Sequence, residues 1–373
     1  MKKLDSLTAL RFFAAASIVI EHSKSAFRSM DWIPHFHYDF GVSFFFVLSG
    51  FILCYTYRDF DSVGSVRRFY VARIARVWPL HLFMLGTFLV VIPIQGWFFG
   101  GTDGHHVAIF LVNIFLIHAW IPIIAFFFSF NAVSWSISTE AFFYLMFPVL
   151  RHRWESTWHW KSAIVALVVF GVLAVASVYR VSLINPQTPL AVSAEGIGYI
   201  SPFVRIIEFL LGMLTARAFD AIRKWVLPSG TAVWTVLEVC AIGLIVFIER
   251  LAGYTASSPW AIFGVECTDA PAFPLLILVF ALGNGLISKL ISARPLVILG
   301  EASFALYLSH QLLLRVFDSY RGSLGASDFA LCTGYWIAAI AISLLLWALV
   351  EKPARNHIRR LGSKSKPVSV GTI

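Results

Sequence analysis

Ten long apolar runs dominate this chain. They begin near Leu7, Phe40, Trp78, Trp135, Ala163, Pro202, Thr231, Pro271, Pro295 and Phe329. Each extends for about the 20 residues that an α-helix needs to cross a bilayer. Hydrocarbon offers no water to backbone N–H and C=O groups, so a spanning segment must close its hydrogen bonds internally, which selects helices. Composition leaves little room for another fold. Only 13% of the 373 residues are charged, and 35 Phe and 13 Trp must be placed somewhere. A soluble domain carries roughly a quarter of its residues as Asp, Glu, Lys or Arg. The expected fold class is therefore all-α, a polytopic membrane helix bundle with about ten transmembrane helices. A soluble enzyme, a disordered chain and a secreted disulfide scaffold are excluded. Cys54, Cys240, Cys267 and Cys332 are scattered without a Cys-x-x-Cys motif, so neither a disulfide framework nor a metal site is expected. Arg11 interrupts the first apolar run, which reads as a retained span and not a cleaved signal peptide.

The net charge of +9 would suit nucleic acid or anionic lipid, but its distribution speaks for topology. Lys and Arg favour the cytoplasmic side of short loops. With the N-terminus inside and ten crossings, 21 of the 29 basic residues fall on the inner side. Five lie outside (Lys24, Arg28, Arg180, Arg250, Arg321) and three lie within spans (Arg11, Arg205, Arg315). An eleventh crossing by residues 106–130 would flip every later cluster outside and erase this bias. That stretch is expected to dip in and return, and both termini to be cytoplasmic. Residues 1–360 read as one integral-membrane domain, and 361–373 as a disordered cytoplasmic tail.

Ionisable groups at bilayer depth cost several kcal/mol unless paired or solvated, so they default to functional hypotheses. Arg11 and His22 are eleven residues apart, nearly three whole helical turns, which puts both on one face about 16 Å apart. A snorkelling arginine with an interfacial histidine is the plain alternative to a polar channel. Arg67 to Pro79 reads as a loop after the second span. Within it Arg73 and Arg76 share a helical face at i,i+3, serving either topology alone or a multiply phosphorylated ligand gripped by two guanidinium groups. Ser136 and Glu140 share a face of the fourth span. Arg205 and Glu208 are spaced as a self-neutralising, structural ion pair. Ser303, Tyr307 and His310 share a face of the ninth span. His22, Glu140 and His310 are thus expected at similar depth, toward the outer half, with Arg11, Arg73 and Arg76 toward the cytoplasm.

Several of these segments resemble acyltransferase family 3, the integral-membrane acyltransferases. They are Leu4-Asp-Ser-Leu-Thr-Ala-Leu-Arg11 with His22, Phe44-Phe-Phe-Val-Leu-Ser49-Gly50-Phe51 and Arg73-x-x-Arg76-x-x-Pro79. Further on come Trp135-Ser-Ile-Ser-Thr-Glu140-x-x-Phe143-Tyr144-x-x-x-Pro148 and Pro202-x-x-Arg205-x-x-Glu208-Phe209-x-x-Gly212. Leu299-Gly-Glu-Ala-Ser303-Phe-Ala-Leu-Tyr307-Leu-Ser-His310 and Glu351-Lys-Pro353-x-Arg355 complete the set. Members commonly have Tyr where this chain has Phe304. The resemblance implies transfer of an acyl group, usually acetyl from acetyl-CoA, to a hydroxyl of a glycan such as O-antigen, exopolysaccharide, peptidoglycan or Nod factor; other members acylate antibiotics. It implies that Arg11, His22, Arg73 and Arg76 are essential. It also implies the membrane-only form, since no esterase-like domain follows the last span, and a bacterial inner membrane as location.

On this reading acetyl-CoA is a co-substrate and no cofactor is bound permanently. Arg73 and Arg76, with Arg11, are expected to hold its phosphates at the inner mouth. His22 is the expected general base, with Glu140 orienting its ring or holding the sugar. Ser136, Tyr307, His310 and Trp135 are candidates for oxyanion or substrate contacts. The expected partners are a glycan or lipid-linked glycan acceptor and membrane lipid, with no nucleic acid. No Gly-x-Ser-x-Gly elbow is present, and Ser49-Gly50 is expected to allow close helix packing. His-x-x-x-x-Asp, His-Glu-x-x-His, Gly-x-Gly-x-x-Gly and P-loop motifs are also missing from the sequence. The rival classes are a transporter or flippase using the buried charges as a path, and an inactive membrane scaffold.

Overall fold

A computed structural model describes residues 4–363, apart from 35, 61, 101, 103, 226–229, 252–257, 284 and 323–324. Among the described residues the regular structure is helical, and the only pairing of strand type is an isolated bridge between Ile123 and Val192. In chain order the α-helices are α1 (Asp5–Lys24), α2 (Phe40–Thr56), α3 (Val63–Val91), α4 (His106–Ile114), α5 (Ile124–Phe127), α6 (Trp135–Arg151), α7 (Trp154–Val178) and α8 (Pro202–Ile222). They continue as α9 (Thr231–Leu251), α10 (Pro259–Glu266), α11 (Phe273–Leu282), α12 (Leu286–Ile291), α13 (Arg294–Tyr320), α14 (Asp328–Leu346) and α15 (Lys352–Ser363). Eight helical stretches among the described residues are long and apolar enough to cross a membrane. Beside them stand the shorter apolar α2 and the 20-residue α1, which carries Asp5, Arg11, Glu21 and Lys24. The chain is a polytopic helix bundle.

Cross-helix contacts fix the directions. Ser43 hydrogen-bonds Arg205 and Phe51 packs on Phe219, so α2 and α8 run parallel. Ser49 meets Glu140 and the Tyr57 carbonyl meets Arg151, so α2 and α6 are also parallel. Helix α3 starts beside the end of α2, where Phe69 packs on Tyr57, and runs back to Phe88, which meets Phe130. A crossing between α3 and α6 would have reversed α6. Residues 92–134 therefore make no net crossing of the bundle. Within them 106–130 breaks into α4, a turn at His118–Trp120 and α5, none longer than 9 residues.

Two sequence expectations need correction. Arg67 to Pro79 is not a loop: a reciprocal Ser62–Ser65 capping box starts α3 at Val63, and the helix continues through Pro79. The arginines thus stand on a rigid extension of the third span. At the other end α15 runs through Ser363, so helix occupies the first residues of the expected tail; residues 364–373 lie outside the described part.

Glycine allows the closest helix contacts. A Cβ at Gly212 would lie 1.9 Å from the Val47 carbonyl oxygen, and one at Gly50 would lie 2.0 Å from that of Phe209. Helices α2 and α8 therefore pack backbone to backbone, as small residues permit in membranes. Beside this seam Arg205 and Glu208, both fully buried, pair at 2.9 Å. The guanidinium also donates to Cys267 Sγ at 3.0 Å and Ser43 Oγ at 3.2 Å, and lies over the Phe46 and Tyr199 rings. This is the structural pair that the spacing predicts.

Gly212→Val should force α2 and α8 apart. An overpacked core loses about 1–3 kcal/mol, so the unfolding temperature in detergent, read by tryptophan fluorescence, should drop. Gly171→Ala, where no atom lies within 4 Å of the added Cβ, should leave it unchanged. Equal melting of the two variants would contradict this packing.

Candidate active site

Two adjoining cavities among those in the described bundle gather the polar residues. The first, about 260 Å³, is lined by Arg11 from α1, Arg73 and Arg76 from α3, Glu140 and Tyr144 from α6, and Arg355 and Arg359 from α15. The second, about 470 Å³, is lined by Glu21, His22, Asp39, Trp135, Tyr199, Gln311 and Arg315, with an aromatic wall around Phe98 and Phe99. Val42 and Tyr307 are the residues that line both. Arg11 and His22 therefore do lie on one face of α1, each opening into a different chamber.

The guanidinium chamber is built by helical spacing. Arg73 and Arg76 share a face of α3. Arg73 stands among the rings of Tyr57, Phe69 and Tyr144, 5.6–5.8 Å from their centroids. Arg76 donates to Glu351 Oε1 at 2.8 Å, while Arg355 approaches the same oxygen at 3.6 Å. The expected pair is thus unequal: Arg76 is engaged by a protein carboxylate, and Arg73 makes no ion pair among the described residues.

The expectation for Glu140 also needs correction. It lies in this chamber, not level with His22, where its Oε1 accepts from Ser49 Oγ at 3.0 Å and from the Tyr144 hydroxyl at 2.6 Å. The reason is geometric. Ser136 itself lines this first chamber and reaches its boundary through a 2.7 Å hydrogen bond to Tyr307, which lines both chambers. Four further residues carry the chain about 6 Å deeper along α6.

In the second chamber α1 and α13 run parallel. Gly300 packs on the Thr8 carbonyl, and farther along both helices His22 meets His310. His310 Nδ1 lies 2.6 Å from the Tyr307 carbonyl oxygen, and its Nε2 lies 3.0 Å from His22 Nδ1. A carbonyl only accepts, so His310 Nδ1 carries the hydrogen and Nε2 of the neutral ring is an acceptor. His22 Nδ1 must then donate to it, leaving a lone pair on His22 Nε2. This tautomer is assigned from the network. His310 is fully buried with both ring nitrogens engaged. It stands behind His22, which lines the second chamber while His310 does not.

The junction and the walls complete the site. The Tyr307 hydroxyl donates to the Val133 carbonyl at 2.9 Å and shares its hydrogen bond with Ser136. Both candidate hydroxyls thus sit where the chambers meet. Trp135 forms part of the second chamber's wall, its ring 4.8 Å from that of Tyr199, whose hydroxyl donates to Asp39 at 3.1 Å. Arg205 and Glu208 line neither chamber. Sequence reasoning gave no site role to Glu351, Arg355, Arg359, Glu21, Asp39, Gln311 or Arg315. A signal existed for two of them: Arg355 and Arg359 share a face at i,i+4, but they lay in a basic stretch already explained by topology.

A family model described as "Acyltransferase domain" matches residues 4–351. Acyltransferase MdmB of Streptomyces mycarofaciens is 31% identical, over 98% of this chain and 94% of that protein. Nodulation protein 10 of Rhizobium leguminosarum bv. viciae is 23% identical, over 94% of this chain and 93% of that protein. O-acetyltransferase OatA of Staphylococcus aureus is 22% identical over 85% of this chain, which spans 51% of that longer protein. No solved structure matches. The matched segment carries the arginines of α1 and α3 and the His22–His310 pair, and it takes in almost all of the bundle: the chain belongs to acyltransferase family 3.

Proposed function

We propose that this protein transfers an acetyl group, or a related acyl group, from acetyl-CoA on the cytoplasmic side of the plasma membrane to a hydroxyl of a cell-surface glycan. One observation carries the reading: the guanidinium-lined chamber shares Val42 and Tyr307 with a second chamber lined by His22, whose ring is hydrogen-bonded to His310. The orientation rests on charge, since the arginines of α3 and α15 belong to the basic majority expected inside. Family membership favours acyl transfer over transport.

Acetyl-CoA is too highly charged to enter lipid, so the guanidinium chamber is its point of access. Arg73 and Arg11 bind phosphate directly, and Arg76 is braced by Glu351. The thioester reaches the junction at Val42 and Tyr307 from one side, while the acceptor hydroxyl approaches His22 from the other. The aromatic walls of the second chamber suit the apolar faces of a sugar ring, and Glu21, Asp39 and Gln311 suit its hydroxyls. His22 Nε2 takes the hydroxyl proton as the oxygen attacks the thioester carbonyl. The Ser136–Tyr307 hydroxyl pair stands nearest the oxyanion that forms. Collapse breaks the C–S bond, and the leaving thiolate recovers the proton from His22. The product is an ester with free CoA.

Purified His22→Ala protein, shown by size exclusion to be folded, should lose about 10²–10⁴-fold in transfer rate, the usual contribution of a general base. Wild-type turnover would remove His22 from the mechanism. His310→Ala should lower kcat less than His22→Ala does and leave both KM values in place, because His310 touches neither substrate. Arg73→Gln should raise KM for acetyl-CoA and not for the acceptor; it is a cleaner test than Arg76→Gln, which would strand the buried Glu351 carboxylate. Mass spectrometry of surface glycans from cells with and without the protein should show an added acetyl group only with it.

A further inference from the structure

The last helix adds charge to a chamber that already holds Arg11, Arg73 and Arg76. A wide turn over Trp347–Glu351 joins α14 to α15, and turns of this kind occur often at functional sites. It leaves Glu351 buried against Arg76 and sets Arg355 and Arg359, one turn apart, against the chamber. Five arginines then line it against one lining carboxylate, Glu140, with Glu351 behind them. Arg76 and Arg355 share Glu351, whereas Arg11, Arg73 and Arg359 make no ion pair among the described residues. Arg73 Nε is buried and makes no hydrogen bond. So much uncompensated positive charge in a low-dielectric chamber is stable only with an anionic occupant or water.

The charges are also graded by depth. Arg359 is exposed and Arg355 is partly buried, with Arg73 and Arg76 next to them and Arg11 on the neighbouring helix α1. A coenzyme A thioester has the same layout, because its reactive end leads, its diphosphate follows, and its ribose 3′-phosphate trails. We infer that Arg355 and Arg359 of the last helix complete the donor site by holding the outermost phosphate of a CoA-class ligand, leaving Arg73 and Arg11 to the diphosphate. This rests on the acyl-CoA reading of the first chamber.

The test compares acetyl-CoA with 3′-dephospho-acetyl-CoA on the full-length protein. Arg359→Gln, at an exposed position, should raise KM for acetyl-CoA about tenfold, the worth of a charge-assisted hydrogen bond. It should leave KM for the dephospho donor within about twofold of wild type, and Arg355→Gln should show the same pattern. An Arg359→Gln KM unchanged on acetyl-CoA, or raised equally on both donors, would overturn the assignment while the acyl-CoA reading stood. A wild-type protein that transfers acetyl from neither donor would instead remove that underlying reading, and this inference with it.

Discussion

Burying charge in hydrocarbon is the constraint on which this bundle depends. Each ionised group at that depth must find a partner or a wet cavity, and the helices are arranged so that nearly all do. Arg205 is neutralised by Glu208 at 2.9 Å and surrounded by the rings of Phe46 and Tyr199. Lys161 caps the end of α6 by donating to the carbonyls of Val149, Leu150 and His152, the orphan acceptors that any helix terminus leaves. Arg76 is answered by Glu351. These solved cases make the remaining ones informative. Arg11 and Arg73 have no carboxylate in ion-pair reach among the described residues, and both face the same chamber.

Close backbone packing gives those charges fixed positions. Where Gly50 meets Gly212, and where Gly300 meets Thr8, helices approach until carbonyl oxygens touch the facing backbone. Such seams leave little freedom for rotation or sliding. They hold α13 in register with α1 over the distance from Thr8 to His22, so that two imidazoles 288 residues apart in sequence meet at 3.0 Å. The hydrogen bond between them is directional, and with the Tyr307 carbonyl it selects a single tautomer. A glycine seam near one end of α13 thus fixes the imidazole pair farther along it.

Much of this was legible in the sequence, within limits that have a physical origin. Run length reports the bilayer, so most helices start near their apolar runs, while α3 and α7 begin well before theirs, at Val63 and Trp154. Spacing reports the helix, so Arg11 with His22, Arg73 with Arg76 and Arg205 with Glu208 each fell on one face. Neither says which faces meet. Glu140 is expected level with His22 but lies deeper along α6, in the guanidinium chamber, because the boundary between the chambers is set by Tyr307 on a distant helix. His310 is expected on the face that meets the site, but that both its ring nitrogens are engaged, by the Tyr307 carbonyl and by His22, is visible only in three dimensions. Glu351 closes on Arg76 across 275 residues, a pairing no local pattern carries. The α3 extension is missed for another reason: an arginine-rich stretch lacks the apolar signal by which a span is recognised, and only the Ser62 cap announces that the helix begins at Val63.

On the proposed reading, the arrangement also resolves a conflict built into transferring an acyl group between two polar partners inside a membrane. An open channel wide enough for both would leak ions and admit water to the thioester. Two chambers that share only Val42 and Tyr307 among the described residues would avoid this, since on the proposed reading the slim acyl end alone needs to reach the junction while the charged bulk of the donor stays behind among the guanidinium groups. The base then belongs on the acceptor side, where the proton is removed, and His22 is found there. Arginines on one side and an oriented imidazole on the other are therefore what a single reaction requires when its two substrates approach from opposite directions.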